Sequence, residues 1–186
     1  MRWLLKFALL LVSSGAAFAA SGLDGATILI IRHAEKDNGR DLSVEGQRHA
    51  AAYVKYFSTF KTDSAPLTLD GLVAAADSRK SRRPRLTMEP VARGMHLPLD
   101  LRFKDREPEA LAAALKAEPH GKHVLICWHH GAMPDLLRSL GADPNVLLPD
   151  GKWPDSQYRW VIELRYDEKG NLMPGQCRRI EEDIQY

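Results

Sequence analysis

The chain has 186 residues, 45% of them hydrophobic and 27% charged, which is enough for one packed core and excludes a disordered or low-complexity polypeptide. Its 26 basic residues nearly balance 24 acidic ones. Arg2 and Lys6 are the only charges in residues 1–19, so residues 20–186 hold 24 of each sign. That balance speaks against a nucleic-acid partner, whose phosphates select an excess of positive charge.

The chain opens with the three parts of a secretory leader: a basic start, an apolar run from Phe7 to Val12, and small residues around Phe18 ending at Ala19. The expected processing leaves residues 20–186 as a single exported domain, periplasmic or secreted. The apolar run is short for a bilayer span, and no stable membrane insertion is expected after cleavage; the rival reading is an uncleaved membrane anchor.

Thr27-Ile28-Leu29-Ile30-Ile31 reads as a fully buried strand. Ser43 is placed to cap a helix with Glu45 in its first turn; the helix runs to about Phe60, with Ala50, Ala51, Val54 and Phe57 on its apolar side. A loop surrounds Pro66, and Leu72–Ala76 is a weaker strand. Leu86–Met95 reads as a helix, as does Pro108–Lys116, which has proline at its first position. His123–Trp128 is a strong buried strand, Pro134 opens a helix ending near Gly141, and Tyr158–Tyr166 alternates as a strand. The C-terminal run from Arg178 to Tyr186 is polar and carries no assignment. Cys127 lies within a strand, which favours a buried free thiol over a bridge to Cys177.

Buried strands separated by helices indicate an α/β domain with a largely parallel sheet, whose ligands bind beyond the carboxyl ends of the strands. Three chemically loaded segments follow predicted strands: Arg32-His33-Ala34-Glu35-Lys36, the basic run from Arg79 to Arg85, and His129-His130-Gly131. Arginine matches phosphate oxygens with bidentate, charge-assisted hydrogen bonds, and a neutral imidazole is a competent nucleophile toward phosphorus. A second, protonated histidine can stabilise the transferring oxygens. There is no phosphate loop ending in Gly-Lys-Ser/Thr.

These segments resemble the histidine phosphatase superfamily, in its phosphoglycerate-mutase-like branch, and Arg32-His33-Ala34-Glu35-Lys36 looks like the signature of small exported bacterial members. Leu42-Ser43-Val44-Glu45-Gly46 resembles that family's helix start, Arg83 to Pro90 its Arg-x-x-x-Thr segment, and His130-Gly131 its second histidine. The resemblance implies a three-layer sandwich and a metal-independent phosphomonoesterase without cofactor, acting on a small-molecule or glycan phosphomonoester. It implies His33 as nucleophile and Arg32 as phosphate ligand. Counting back from Thr87 selects Arg83 as the second arginine, while counting from Ser78 selects Arg82; Arg83 is preferred. Strand length selects His129 as the second histidine, while the spacing to Pro134 selects His130, which is preferred. Among Asp105, Glu107 and Glu109, Glu107 is chosen as proton donor because it precedes the helix at Pro108. Glu35 is the alternative proton donor or orients Arg32, and is counted with the substrate-binding residues. Hydrolysis is expected over mutase chemistry, since the chain is short for a mutase. Two other readings are a non-catalytic phosphate-binding module and a metallohydrolase using His33, His129 and His130. The oligomeric state is unassigned.

Overall fold

A computed structural model of the chain describes residues 22–63 and 65–186; the expected leader lies outside them. In chain order the elements are β1 (Thr27–Arg32), α1 (Val44–Ser58), a short hairpin of β2 (Lys61–Thr62) and β3 (Ala65–Pro66), β4 (Gly71–Ala74), α2 (Arg83–Met95), β5 (Leu99–Asp100), α3 (Pro108–Ala117), β6 (His123–Trp128), α4 (Met133–Ser139), α5 (Pro144–Leu147), β7 (Trp160–Arg165) and β8 (Arg178–Glu181). Six strands form one sheet in the order β5-β4-β6-β1-β7-β8. The β5-β4-β6-β1 portion is parallel, and β7 runs antiparallel to both β1 and β8.

Alternate residues of the strands feed two cores, as the two-residue period of a strand requires. Ile28, Ile30, Val124, Ile126 and Ile162 pack with Leu111 and Leu115 of α3 and Leu136 and Leu137 of α4. Leu29, Ile31, Leu125, Cys127 and Val161 pack with Tyr53 and Phe57 of α1 and Met88 and Val91 of α2. The architecture is therefore helices over both faces of a mostly parallel sheet, as the sequence predicts. Trp128, Trp153 and Trp160 belong to the first core, and both cysteines are free.

Several local details differ from expectation. The buried stripe of α1 is Gly46, His49, Ala50, Tyr53 and Phe57; Ala51 faces solvent. Helix α2 starts at Arg83, three residues before the predicted Leu86, because Pro84 in its first turn presents the fixed φ that a helix start favours. The C-terminal run forms edge strand β8 and continues to Tyr186 against α1.

The parallel register decides which residues meet at the site. Arg32 is level with Trp128 across β1 and β6, so His33 and His129 leave the sheet together. The chain then crosses to opposite faces, into α1 after β1 and into α4 after β6, which makes this the switch point where open α/β sheets bind ligands.

The loop after β1 is stapled to the start of α1. Ser43 caps the helix by accepting the Gly46 N–H at 3.0 Å, and its own N–H donates to the Glu35 carbonyl at 2.9 Å. A Cβ at Gly46 would stand 2.1 Å from the Glu35 carbonyl oxygen, so only glycine allows this approach. Gly46→Ala is expected to cost about 2 kcal/mol, lowering the melting temperature by roughly 5 °C in calorimetry; an unchanged melting temperature would contradict the packing described.

Candidate active site

Arg32, the last residue of β1, has no exposed surface. Its Nη1 donates to the carbonyls of Asp155 at 2.6 Å, Gln157 at 2.9 Å and Pro154 at 3.2 Å. The guanidinium lies 3.9 Å from the centre of the Tyr158 ring, a cation–π contact. Burial lowers its pKa from the ordinary arginine value, while Tyr158 and Asp155 work in the opposite direction. Its Nε and Nη2 are buried and have no hydrogen-bond partner among the described residues. Buried cationic donors left unmatched are costly, and Arg32 stands at the end of β1, level with the end of β6.

His33 follows on the same edge and is 2% exposed. Its Nδ1 lies 2.7 Å from the Ala34 carbonyl. A carbonyl only accepts, so Nδ1 carries the proton and Nε2 keeps its lone pair. Burial pushes the imidazole down to about 2; the Ala34 hydrogen bond opposes this, and His129, Arg32 and Arg83 reinforce it. The ring is therefore neutral throughout the ordinary pH range. The Ala34 N–H donates to Thr87 Oγ1 at 3.0 Å, and that hydroxyl donates to the Arg83 carbonyl at 2.8 Å. Thr87 is thus the brace between the His33 loop and the first turn of α2.

The two arginines left open by the sequence part here. Arg82 is bound through Nε and Nη2 to both oxygens of Asp41, at 2.8 and 2.5 Å, with a side chain 41% exposed. Arg83 is steered by Ser81, whose hydroxyl accepts its Nε–H at 2.9 Å, and its charge lowers the proton affinity of His33, His129 and Arg32 alike. The structure brings Arg83 into the cluster and leaves Arg82 in a surface ion pair.

The histidines part as well. The His129 ring lies edge-on against His33, with centroids 5.2 Å apart. Burial lowers His129 to about 4, against the pull of the Asp105 carboxylate. His130, which the motif spacing preferred, opens a single 3-10 turn and directs Nε2 to the Asp155 carboxylate. The ring beside His33 is that of His129, because the β1–β6 register places it there.

Glu107 does not join them. It stands at the N-cap of α3, where its carboxylate accepts the Lys104 backbone N–H at 3.0 Å and faces the Lys104 ammonium at 3.4 Å, half in solvent. Glu109 is exposed in the first turn of the same helix. The carboxylate next to His129 is Asp105, whose main-chain oxygen accepts the Trp128 indole N–H at 3.2 Å. Glu35 turns away from solvent toward His49, 3.0 Å from its Nδ1, and its charge also favours the Arg32 cation. The loop carrying Asp155, Gln157 and Tyr158 was not singled out in the sequence, since main-chain acceptors carry no residue signature. No cluster of three or more His, Cys, Asp or Glu side chains among the described residues is arranged to hold a metal ion.

The fold is shared with solved structures of low identity. Phosphoglycerate mutase from Plasmodium falciparum matches 87% of this chain and 98% of its own at 14% identity, with a TM-score of 0.54. An Escherichia coli protein provisionally described as an alpha-ribazole-5'-P phosphatase matches 87% and 100% at 12% identity, with a TM-score of 0.60. Mycobacterial glucosyl-3-phosphoglycerate phosphatase matches 87% and 100% at 12% identity, with a TM-score of 0.53. No protein-family profile and no curated protein sequence matches the chain. The chain thus shares with these structures a phosphoglycerate-mutase-like α/β fold with a mostly parallel central sheet.

Two buried neutral imidazoles predict a definite pH dependence of stability. The unfolded chain protonates His33 and His129 below the ordinary value of 6.5, whereas the folded chain does so only near 2 and 4. Protons then favour the unfolded state, so stability falls as pH drops below about 6.5. His49, whose pKa is raised in the folded chain, acts in the opposite direction above about 6.5. The fall in melting temperature from about pH 6.5 to about pH 5 should therefore be shallower in His33→Leu than in wild type, and an equal slope in the two would contradict the burial described.

Proposed function

We propose that this protein is a phosphomonoesterase of the histidine phosphatase type, with His33 as the nucleophile. The observation that carries the reading is the pairing of two unmatched donors on Arg32 with the free lone pair of a neutral His33 at one strand end. In this reading Arg32 and Arg83 hold the phosphoryl oxygens. His33 Nε2 forms the bond to phosphorus as the ester P–O bond breaks, and the leaving oxygen takes a proton. A water molecule then attacks the phosphohistidine, the P–N bond breaks, and the imidazole regains its lone pair as phosphate departs.

His129, rather than His130, fits the second histidine of this scheme. Binding a dianionic phosphoryl group raises its proton affinity, so a protonated His129 would stabilise the equatorial oxygens. Asp105 takes the place of Glu107 as the proposed proton donor, because it is the carboxylate beside His129. The reaction needs no metal or cofactor from these residues. The proposed substrate is a small-molecule or glycan phosphomonoester met outside the cytoplasm; the leader-like residues 1–19 support export, with residues 20–186 as the working domain.

Hydrolysis of p-nitrophenyl phosphate, measured with EDTA across pH 4 to 8, tests this. Activity should survive chelation, and His33→Ala should lose roughly a thousandfold or more. His129→Ala should lose about a hundredfold, and His130→Ala far less. Because His129 is lowered to about 4 in the free enzyme, kcat/KM should be greatest on the acid side and decline toward pH 8. A protein that binds phosphate tightly yet turns over no ester would favour the non-catalytic binding module; full activity in His33→Ala would remove the proposed nucleophile.

A further inference from the structure

Beneath the proposed phosphate pocket lies a buried chain of charged groups with no role in the chemistry described. His49, on the inner stripe of α1, has no exposed surface. Its Nδ1 stands 3.0 Å from Glu35 Oε2, and its Nε2 stands 2.9 Å from Glu182 Oε2. The outer oxygens are also occupied. The Tyr53 hydroxyl donates to Glu182 Oε1 at 2.9 Å, and the Tyr186 hydroxyl donates to Glu35 Oε1 at 2.9 Å. The Tyr186 ring stacks on the His49 ring, 4.4 Å between centroids and 9° from parallel. Arg159 completes the arrangement, over the Tyr186 ring and bonded to the Ile184 carbonyl.

Two carboxylates on the two nitrogens of one imidazole are both satisfied only when both nitrogens donate. Burial opposes that charge, but the bonds to Glu182 and Glu35 outweigh it and raise the His49 pKa. The bond to His49 likewise lowers the pKa of Glu35 against the effect of its own burial. Glu182 is raised, because it is the more deeply buried of the two acids.

The location of Glu35 gives this chain a consequence. It lies two residues beyond His33, and its charge reaches Arg32, yet it is not among the bonding partners of Arg32. An unrestrained carboxylate at that position is an internal competitor for the unmatched Nε and Nη2 of the guanidinium, and its negative charge opposes a phosphate dianion.

We propose that His49 is a positioning residue for the phosphate pocket: it binds and neutralises Glu35, holding it off Arg32, so that residues 182–186 at the C-terminus form part of the pocket's construction. The inference rests on the phosphatase reading, because it assigns Arg32 to phosphate. Its stronger consequence is a specific rescue. Once the cation on His49 is gone, the harm comes from the charge on Glu35, so removing that charge should restore anion binding.

The experiment measures the dissociation constant of inorganic phosphate by titration calorimetry, with KM and kcat for p-nitrophenyl phosphate. The proteins are the full chain, His49→Gln, Glu35→Gln, the double variant Glu35→Gln/His49→Gln, and Tyr186→Phe. His49→Gln should weaken phosphate binding about tenfold and raise KM in parallel, with kcat changed much less. The double variant should regain most of the lost affinity, which a general loss of structure would not permit. Tyr186→Phe keeps the stacked ring, deletes one hydrogen bond to Glu35, and should weaken phosphate by a smaller factor in the same direction. If His49→Gln does not fold, Tyr186→Phe decides: phosphate affinity equal to wild type overturns the inference. A folded His49→Gln that binds phosphate like wild type overturns it too, as does a double variant no better than His49→Gln. A wild-type chain that binds no phosphate overturns the phosphatase reading and this inference with it, whereas a hydrolysing wild type with an indifferent His49→Gln overturns this inference alone.

Discussion

A guanidinium with no exposed surface sits at the end of the central strand, and much of the site's local structure follows from it. Removing a full charge from water costs several kcal/mol unless the surroundings replace the lost hydration. At Arg32 the replacement is partial: three main-chain carbonyls from residues 154–157 cover Nη1, the Tyr158 ring covers a face, and Nε and Nη2 are left without partners among the described residues. The loop before β7 therefore supplies its hydrogen-bond acceptors to Arg32 from the backbone, and the Asp155 carboxylate of that loop acts on the cation only through space. Carbonyl dipoles hold the cation in place while its field remains available, which is the condition for binding an anion from outside.

The sheet register then fixes what shares the site with that charge. In a parallel pair each residue has a fixed neighbour, and one residue of slip would exchange His129 for Trp128 or His130. With Arg32 level with Trp128, both histidines emerge into a region that is buried and already positive, and both lose proton affinity for the same two reasons. The carbonyl partner of His33 adds orientation: it selects the tautomer whose free nitrogen is Nε2. Thr87 and Gly46 act at longer range. One bridges the His33 loop to the start of α2, and the other lets the start of α1 approach the same loop closely. Two helix starts and two strand ends thus converge on residues 32–35.

How much of this was legible in the sequence depended on what each level of structure requires. Strands β1 and β6 were readable because Ile28–Ile31 and Val124–Trp128 are unbroken buried apolar runs, and α1 was readable from Ser43 and its amphipathic spacing. The choice between His129 and His130 was not readable, since it depends on a register between strands nearly a hundred residues apart. Motif spacing favoured His130, but that residue begins a 3-10 turn and its ring swings out to Asp155. Glu107 looked suitable because it precedes a helix; a carboxylate at an N-cap, however, is readily claimed by nearby backbone N–H groups, and here it is bound by Lys104. Arg82 and Arg83 are adjacent and chemically identical, and Asp41 alone separates their fates. His49 gave no signal at all: it stands on a helix face among alanines, and its partners come from the far end of the chain.

The last step concerns the sign of the field at the site. Two arginines, Arg32 and Arg83, act there against the carboxylates Glu35, Asp105 and Asp155, each close enough to alter a neighbour's proton affinity. Lys36 also acts on His130, so bare charges would balance at three against three and leave no net positive field for an anion. Both Asp155 and Glu35 have histidine partners, but burial lowers the pKa of His130 whereas its carboxylate bonds raise that of His49, so of the two acids only Glu35 faces a cation. Asp155 stands largely in solvent, which leaves Asp105, next to His129, as the acid within the arginine field. A lone acid among arginines, adjacent to a neutral histidine, is suited to moving one proton rather than to cancelling the field. The buried chain from Glu35 to Glu182 therefore belongs to the electrostatics of the site as much as Arg32 does, although it touches none of the atoms at which the proposed chemistry would occur.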